Sequence, residues 1–255
     1  MIEIWNEIKI KFRIFYILTY LLLVILFSSR FDLKKVMITI RNMIFMKSKI
    51  EYMYQEKIEW IQRENEKGKG VIIMMNHICG KDTLFLYDFI EFYSVVKSDL
   101  LGEVIQEDES WILSYIKDEI FEKCKFIPYQ RGDKKSGEEV KKMILKNINE
   151  GKNMIVFPEG TTQHCFRKPL PFKKGIFDLA YDYKIPIFTF SINYSKDIGF
   201  WKGEKYDFSL IFREQPDVRI YCNGIFYPQH YHSMIDLHDD IYESISSNVL
   251  LTWDT

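Results

Sequence analysis

The stretch IIMMNHICGKDTLFL, residues 72–86, places a histidine and an aspartate just after an apolar run. Residues 71–75, VIIMM, are continuously apolar and of strand length, which is typical of a strand buried on both faces. Residues 82–93 have a helical pattern, with Asp82 as the predicted N-cap. The sequence therefore places His77 in a turn between a buried strand and a helix.

The alternation of strand and helix patterns continues along the chain. Four more apolar runs are predicted strands, at residues 125–131, 153–160, 185–194 and 218–227. Helical patterns cover residues 109–121, 136–151, 175–183 and 235–253. The helix at 136–151 is expected to have Ser136 as its N-cap and Gly151 at its end. This alternation indicates an α/β domain with a largely parallel or mixed sheet flanked by helices.

The N-terminal part has a different pattern. Residues 14–29, IFYILTYLLLVILFSS, contain no charge and are flanked by lysines and arginines. A helix of that length reaches about 24 Å, less than the roughly 30 Å of a hydrocarbon core, so we expect it to span or lie on a bilayer. A buried core helix is the alternative. Residues 31–65 predict one or two amphipathic helices, on the membrane or against the domain. We therefore expect residues 1–65 to anchor a single domain at residues 66–255.

Composition limits the classes of function. The 255-residue chain is 47% hydrophobic, so it can bury a sizeable core. Its 35 basic and 36 acidic residues leave a net charge of -1, which argues against nucleic acid as a partner because phosphate binding needs excess cations. The four cysteines contain no C-x-x-C pair, so neither a zinc knuckle nor a disulfide framework is predicted. Reduced thiols in a cytosol-facing domain are expected.

The spacing of His77 and Asp82 is chemically suggestive. On an ideal helix, positions five apart point about 140° apart, so the side chains meet only if His77 lies in a turn before the helix. Gly80 would permit that bend. A carboxylate beside an imidazole fixes its tautomer, and the other ring nitrogen can then act as a general base. Alone the spacing is a weak signal, since a helix cap beside an ordinary histidine gives the same pattern.

A second stretch, VFPEGTT at residues 156–162, also places polar residues after a buried strand. Ligands of open α/β sheets bind beyond the strand ends, so the two turns are expected to share one site. One interpretation makes His77, Asp82 and Glu159 a metal triad of a hydrolase.

These stretches resemble the motifs of glycerolipid acyltransferases related to 1-acylglycerol-3-phosphate acyltransferase. NHICGKD, residues 76–82, is similar to their Asn-His-x-x-x-x-Asp motif, and FPEGT, residues 157–161, to their Phe-Pro-Glu-Gly-Thr motif. The other matches are FIPYQR (126–131), LPFKKGIFDLA (170–180) and IPIF (185–188), which resemble the hydrophobic motif ending in arginine, the Phe-Lys-x-Gly stretch and the proline-containing strand. The resemblance covers roughly residues 70–195 and implies a glycerol-3-phosphate acyltransferase-like fold.

The resemblance implies an O-acyltransferase with no metal and no cofactor, using acyl-CoA or acyl carrier protein as co-substrate. His77 would remove the proton from a lysophospholipid hydroxyl as that oxygen attacks the thioester carbonyl. Asp82 would hold the imidazole and stabilise its cation.

The remaining motif residues are expected to bind substrate. Arg131 matches the family arginine that binds the glycerophosphate, and a guanidinium suits phosphate. Glu159 would accept a bond from a substrate hydroxyl or hold the turn. Backbone amides around Gly160 and Thr161 would line the phosphate site.

The expected acceptor is lysophosphatidate, giving phosphatidate in glycerophospholipid biosynthesis. Thr162 stands where many family members have arginine, which leaves open glycerol 3-phosphate or another lysophospholipid as acceptor. Membrane lipids are therefore expected partners, at the endoplasmic reticulum of a eukaryote or the cytoplasmic membrane of a bacterium, with the domain on the cytosolic side. An alternative of another class is a membrane-bound lipid-binding protein that has kept the fold and lost activity.

Overall fold

The computed structural model describes residues 32–97, 122–162, 168–196, 201–202, 205–206 and 215–249, together with Thr19. Its helices are α1 (Leu33–Ile44), α2 (Glu59–Glu66), α3 (Lys134–Asn149), α4 (Gly175–Tyr183) and α5 (Met234–Val249). Its strands are β1 (Ile50–Met53), β2 (Ile72–Met75), β3 (Phe92–Lys97), β4 (Phe126–Tyr129), β5 (Asn153–Val156), β6 (Ile187–Tyr194), β7 (Trp201–Lys202), β8 (Lys205–Tyr206) and β9 (Val218–Phe226). Short 3₁₀ helices cover Gln55–Ile58, Asp82–Asp88 and Pro228–His230.

Seven strands form one mixed sheet in the order β1-β9-β6-β2-β5-β3-β4. The neighbours from β6 to β4 are all parallel. Strand β9 runs antiparallel to β6 and parallel to β1, while β7 and β8 pair separately. The described residues therefore form one α/β domain with a mixed sheet flanked by helices, which confirms the predicted fold class.

Strand β2 lies at the centre of the sheet, between β5 and β6. All four of its side chains are fully buried, as the apolar run predicts. Ile73 and Met75 pack in the hydrophobic cluster that contains α1, whereas Ile72 and Met74 pack in the one that contains α3, α4 and α5. Successive side chains of a strand point to opposite faces, so this one strand anchors both layers. Its carboxyl end leads directly to His77.

Helix α1 packs on the same side of the sheet as the 3₁₀ helix Asp82–Asp88. Its buried apolar residues recur at helical spacing: Leu33, Val36, Met37 and Ile40. Arg41 donates through Nη1 to the Asp88 carboxylate, and the Tyr52 hydroxyl of β1 donates to the same oxygen. Burial and the Asp88 charge raise the pKa of Tyr52, so it stays a donor. The N-terminal elements are thereby fastened to the segment that begins at Asp82.

Two sequence predictions about helices are wrong in part. Residues 82–93 form a 3₁₀ helix over Asp82–Asp88 and then enter β3, because the run FYSVVK is rich in β-favouring residues. Asp82 is not an N-cap, since its carboxylate accepts from amides that precede it in the chain.

The cap of α3 also differs from the prediction. Asp133 caps this helix by accepting from the Lys135 amide at 2.9 Å. The Ser136 hydroxyl instead accepts from the Gln130 amide at 2.9 Å. Gly151 follows the helix with a φ of +76°, as a terminating glycine does.

Some predictions concern the N-terminal part and other stretches that lie outside the described residues. Strand β1 pairs with β9, so part of residues 31–65 belongs to the sheet, and the domain division at residue 65 stays a prediction. The predicted membrane segment 14–29, apart from Thr19, and the predicted helix 109–121 lie outside the described residues. No helix within the described ranges has the length and apolarity needed to cross a membrane.

Candidate active site

The structure brings His77 and Asp82 into contact. Nδ1 of the His77 imidazole lies 3.0 Å from Oδ2 of Asp82. The Asp82 side chain is fully buried, whereas 18% of the His77 side chain is exposed. Because a carboxylate only accepts hydrogen bonds, Nδ1 carries a proton, and in the neutral imidazole Nε2 then keeps a lone pair. The second ring nitrogen can therefore accept a proton from a bound molecule.

Asp82 also folds the turn that carries the histidine. Its Oδ2 accepts from the backbone amides of Ile78 at 2.7 Å and Cys79 at 2.8 Å. The bend does not depend on Gly80, contrary to the sequence prediction, because that residue lacks a positive φ and a Cβ built on it would meet nothing within 4 Å. The carboxylate and its amide partners, rather than a glycine, set the course of the chain.

The other oxygen of Asp82 has partners that the sequence analysis missed. Oδ1 accepts from the Tyr194 hydroxyl at 2.6 Å and from the Cys79 thiol at 3.2 Å. Burial, with the Asp82 charge, raises the pKa of the Cys79 thiol and of the Tyr194 phenol well above their usual ranges. Both groups therefore remain protonated donors, and every partner of this carboxylate stabilises its negative charge.

The imidazole is held on its face as well as on its edge. The Phe157 ring stacks on His77 with the ring centroids 3.7 Å apart and the planes 17° from parallel. Phe157 follows β5, the parallel neighbour of β2, so the register of these two strands places the rings of Phe157 and His77 next to each other. With Nδ1 bound to Asp82 and one face covered, the ring has little freedom to turn.

The buried Glu159 side chain connects its own turn to the turn that contains His77. Oε1 accepts from the His77 amide at 2.7 Å and Oε2 from the Leu170 amide at 2.9 Å. Burial raises the pKa of Glu159, and the two amides partly oppose that shift. The loop that supplies Leu170 is fixed to α5, whose Tyr242 hydroxyl donates to the Pro169 carbonyl at 2.9 Å. Of the two roles expected for Glu159, this geometry favours holding the turn.

Arg131, Gly160 and Thr161 lie at the exposed side of the site. An Nη2 of Arg131 donates to the Gly160 carbonyl. Gly160 has a φ of +70°, which favours glycine, and its amide bonds the Phe157 carbonyl at 3.0 Å. The Lys173 side chain passes close by, with its Cγ 3.6 Å from the Cβ that an alanine at 160 would carry. Two cationic side chains thus flank the glycine turn.

The residues of the site converge because of the sheet topology. His77 follows β2, Phe157 follows β5, Arg131 follows β4, and Tyr194 ends β6. These four strands are parallel, so their carboxyl ends meet at one edge of the sheet. The Asn76 side chain reinforces this edge through reciprocal bonds to the Ile192 backbone, at 3.0 and 2.8 Å.

The alternative metal triad is not formed. Within the described ranges, no three histidine, cysteine or acidic side chains are placed to hold a metal ion, and His77, Asp82 and Glu159 are all inside those ranges. The physical reason is visible in the hydrogen bonds, since both carboxylates have their oxygens turned to N–H and O–H donors.

Comparisons with known proteins show the family and the fold of the chain. The family model described as Acyltransferase matches residues 49–193. Nine chains of solved structures match, among them the 1-acyl-sn-glycerophosphate (LPA) acyltransferase PlsC from Thermotoga maritima. That structure has a TM-score of 0.64 and 20% sequence identity, with 100% of each chain covered, and it demonstrates a shared fold. No curated protein sequence matched.

Proposed function

The chain belongs to the acyltransferase family, and we propose that it moves a fatty acyl chain from acyl-CoA or acyl carrier protein to the free hydroxyl of lysophosphatidate. The observation that carries the proposal is the contact between His77 and the buried Asp82 at 3.0 Å, beside a cationic turn. A base next to an anion site suits an acceptor that has both a hydroxyl and a phosphate.

The chemistry uses His77 as the base. Nε2 takes the proton of the acceptor hydroxyl while the oxygen attacks the thioester carbonyl. The imidazolium that forms is stabilised by Asp82, which bonds Nδ1. Collapse of the tetrahedral intermediate breaks the carbon–sulfur bond, and the leaving thiolate takes the proton back from Nε2. An ester and a free thiol result, with no covalent enzyme intermediate.

The headgroup contact is assigned to Arg131. One nitrogen of its guanidinium, Nη2, donates to the Gly160 carbonyl, and a guanidinium has five N–H donors in all. Lys173 adds a second cation next to the same turn. Phe157, which stacks on His77, belongs to this turn, so a phosphate held here keeps its glycerol hydroxyl near the base.

Two related proposals concern the acceptor substrate and the attachment of the protein to a membrane. Thr162, in place of the family arginine, supports glycerol 3-phosphate or another lysophospholipid as an alternative acceptor. The uncharged run at residues 14–29 supports attachment to a membrane, where lysophospholipids reside, with the domain on the cytosolic side. A lipid-binding protein without activity is the competing proposal, and the complete set of His77, Asp82 and Arg131 speaks against it.

The test is an acyl-transfer assay with the full chain in membranes. Lysophosphatidate and labelled oleoyl-CoA are supplied with and without a chelator, beside the variants His77→Ala and Asp82→Asn. The matched control is His232→Ala, which changes an exposed histidine of the loop before α5.

Phosphatidate formation that resists the chelator, vanishes in His77→Ala and persists in His232→Ala is expected. Turnover only with another acceptor would transfer the proposal to that acceptor. Silence with every acceptor and donor would leave the lipid-binding protein.

A further inference from the structure

We propose that Tyr194 is a positioning residue of the active site, which fixes the plane of the Asp82 carboxylate and through it the orientation of the His77 imidazole. This inference rests on the proposed function. It goes beyond the acyltransferase motifs, because the family match ends at residue 193 and Tyr194 is the next residue.

The contact of Tyr194 with Asp82 is short and enclosed. The hydroxyl donates to Oδ1 at 2.6 Å, and the tyrosine is 1% exposed. The ring lies edge-on to Phe85 of the 3₁₀ helix, with centroids 6.3 Å apart. Its backbone is the last residue of β6, paired with Val218 of β9. The hydroxyl is therefore carried by the rigid sheet rather than by a loop.

The two oxygens of Asp82 have different supports. Oδ2 bonds His77 and two amides of the same short turn, all within five residues of Asp82. Oδ1 bonds Tyr194, which is 112 residues away in the chain. The terminal torsion of an aspartate is broad and roughly two-fold, so local bonds on one oxygen alone leave the carboxylate plane loosely defined. A second anchor on the opposite oxygen stops that rotation.

The fixed plane matters for the base. Nδ1 of His77 is hydrogen-bonded to Oδ2, so it moves when Oδ2 moves. A tilt of the carboxylate therefore turns the imidazole and displaces Nε2 from the acceptor hydroxyl. Cys79 also donates to Oδ1, but its thiol is a weak donor and belongs to the same turn as the carboxylate. Tyr194 is therefore the partner of Oδ1 that connects Asp82 to the sheet.

The test compares two tyrosine-to-phenylalanine variants of the full chain. Tyr194→Phe removes the hydroxyl at the site. Tyr227→Phe is the matched control, because its hydroxyl donates to the Glu64 carboxylate at 2.9 Å away from the site. For both variants we would measure kcat, the KM values for donor and acceptor, and Tm.

For Tyr194→Phe we expect kcat to fall about 10- to 100-fold, as loss of an outer hydrogen-bond partner does, with both KM values nearly unchanged. Tyr227→Phe is expected to keep kcat although its Tm also falls. A Tyr194→Phe variant with a lower Tm and an unchanged kcat would overturn the inference, and so would a rise in KM that accounts for the whole loss.

A second readout needs no substrate. In protein with ¹⁵N-labelled histidines, the hydrogen-bonded Nδ1 proton of His77 is identified by its loss in His77→Ala. We expect this signal to shift or broaden in Tyr194→Phe and to stay in place in Tyr227→Phe. If no acceptor is turned over but the signal responds, the proposed function fails and the positioning role stands. If the enzyme is active and the signal ignores Tyr194→Phe, the positioning role fails alone.

Discussion

The backbone amide of His77 donates to the side-chain carboxylate of Glu159 at 2.7 Å. The base and the glycine turn opposite it are therefore parts of one hydrogen-bonded unit, although they are 82 residues apart in the chain. A change at Glu159 is expected to move both walls of the site together.

Glu159→Gln tests this link. A glutamine can present an oxygen to only one of the two amides and turns an NH₂ group toward the other, which leaves a buried donor unsatisfied at a cost of about 1–3 kcal/mol. We expect a lower free energy of unfolding and a lower kcat. Urea denaturation and the acyl-transfer assay measure the two effects. A glutamine variant as stable and active as the parent would show that the amides find other partners.

The pH dependence of stability follows from the same residue. Burial raises the pKa of Glu159 in the folded protein. Between the unfolded and the folded pKa, the folded state therefore keeps a proton that the unfolded state has released. Its contribution to stability is full below the unfolded pKa and is lost as the pH rises through the folded pKa. As the pH rises, the free energy of unfolding of the wild type should therefore fall relative to that of Glu159→Gln. A difference that is flat, or that grows in favour of the wild type, would contradict the sign.

Phe157→Leu removes the ring that covers His77. The stacked pair contributes about 0.5–1.5 kcal/mol beyond burial of its area, and the imidazole gains freedom to rotate without it. We expect kcat to fall more than Tm alone would account for. Phe226→Leu, a similar half-buried change in β9, is the control and is expected to spare kcat. Equal kinetic effects in the two variants would argue for a general packing effect.

Arg131→Ala is expected to raise KM for a phosphate-bearing acceptor roughly 10- to 100-fold, because charge-assisted hydrogen bonds are the strong ones. Arg131→Lys should recover only part of the loss, since an ammonium lacks the planar fork. KM for acyl-CoA serves as the internal reference, and Lys142→Ala, on the exposed side of α3, is the matched charge control. An unchanged acceptor KM would assign the headgroup to other residues.

The ion pair between Arg41 and Asp88 predicts a stability effect at a distance from the chemistry. Their side chains are 10% and 22% exposed, so Arg41→Met leaves a largely enclosed carboxylate without its cation, at a cost of about 3 kcal/mol. Arg63→Met breaks a pair with Glu59 in which both side chains are 64% exposed, and should have a much smaller effect. Urea denaturation compares the two. A similar small loss in both would mean that Asp88 is satisfied by Tyr52 alone.

Much of the fold is visible in the sequence because buried strands need apolar runs. The runs at β2, β5 and β6 predict the centre of the sheet, and the helical patterns predict α3, α4 and α5. The prediction fails in β1, at one edge of the sheet, and at the start of β3, where burial is incomplete and the pattern is mixed. Strand β1 lies in a region whose pattern predicts amphipathic helices, and the start of β3 lies where the pattern predicts the end of a helix.

The site divides in the same way. The contact of His77 with Asp82 is local, so the motif together with the predicted turn before Asp82 is enough to expect it. The bond from Tyr194 to Asp82 depends on the position of β6 beside β2, which no spacing reveals. The role of Glu159 is likewise not visible in the sequence, because a carboxylate that holds two amides looks the same there as one that binds substrate.

The long separation between Asp82 and Tyr194 has a consequence for the time at which the site is completed during synthesis. At about 5–20 residues per second, a ribosome needs roughly 6 to 22 seconds to make the chain between these two residues. Until β6 has emerged, a nascent chain already has the histidine, the aspartate and the glycine turn but lacks the anchor on Oδ1. The full rate of acyl transfer is therefore expected only after the strand that neighbours β2 has been added to the sheet.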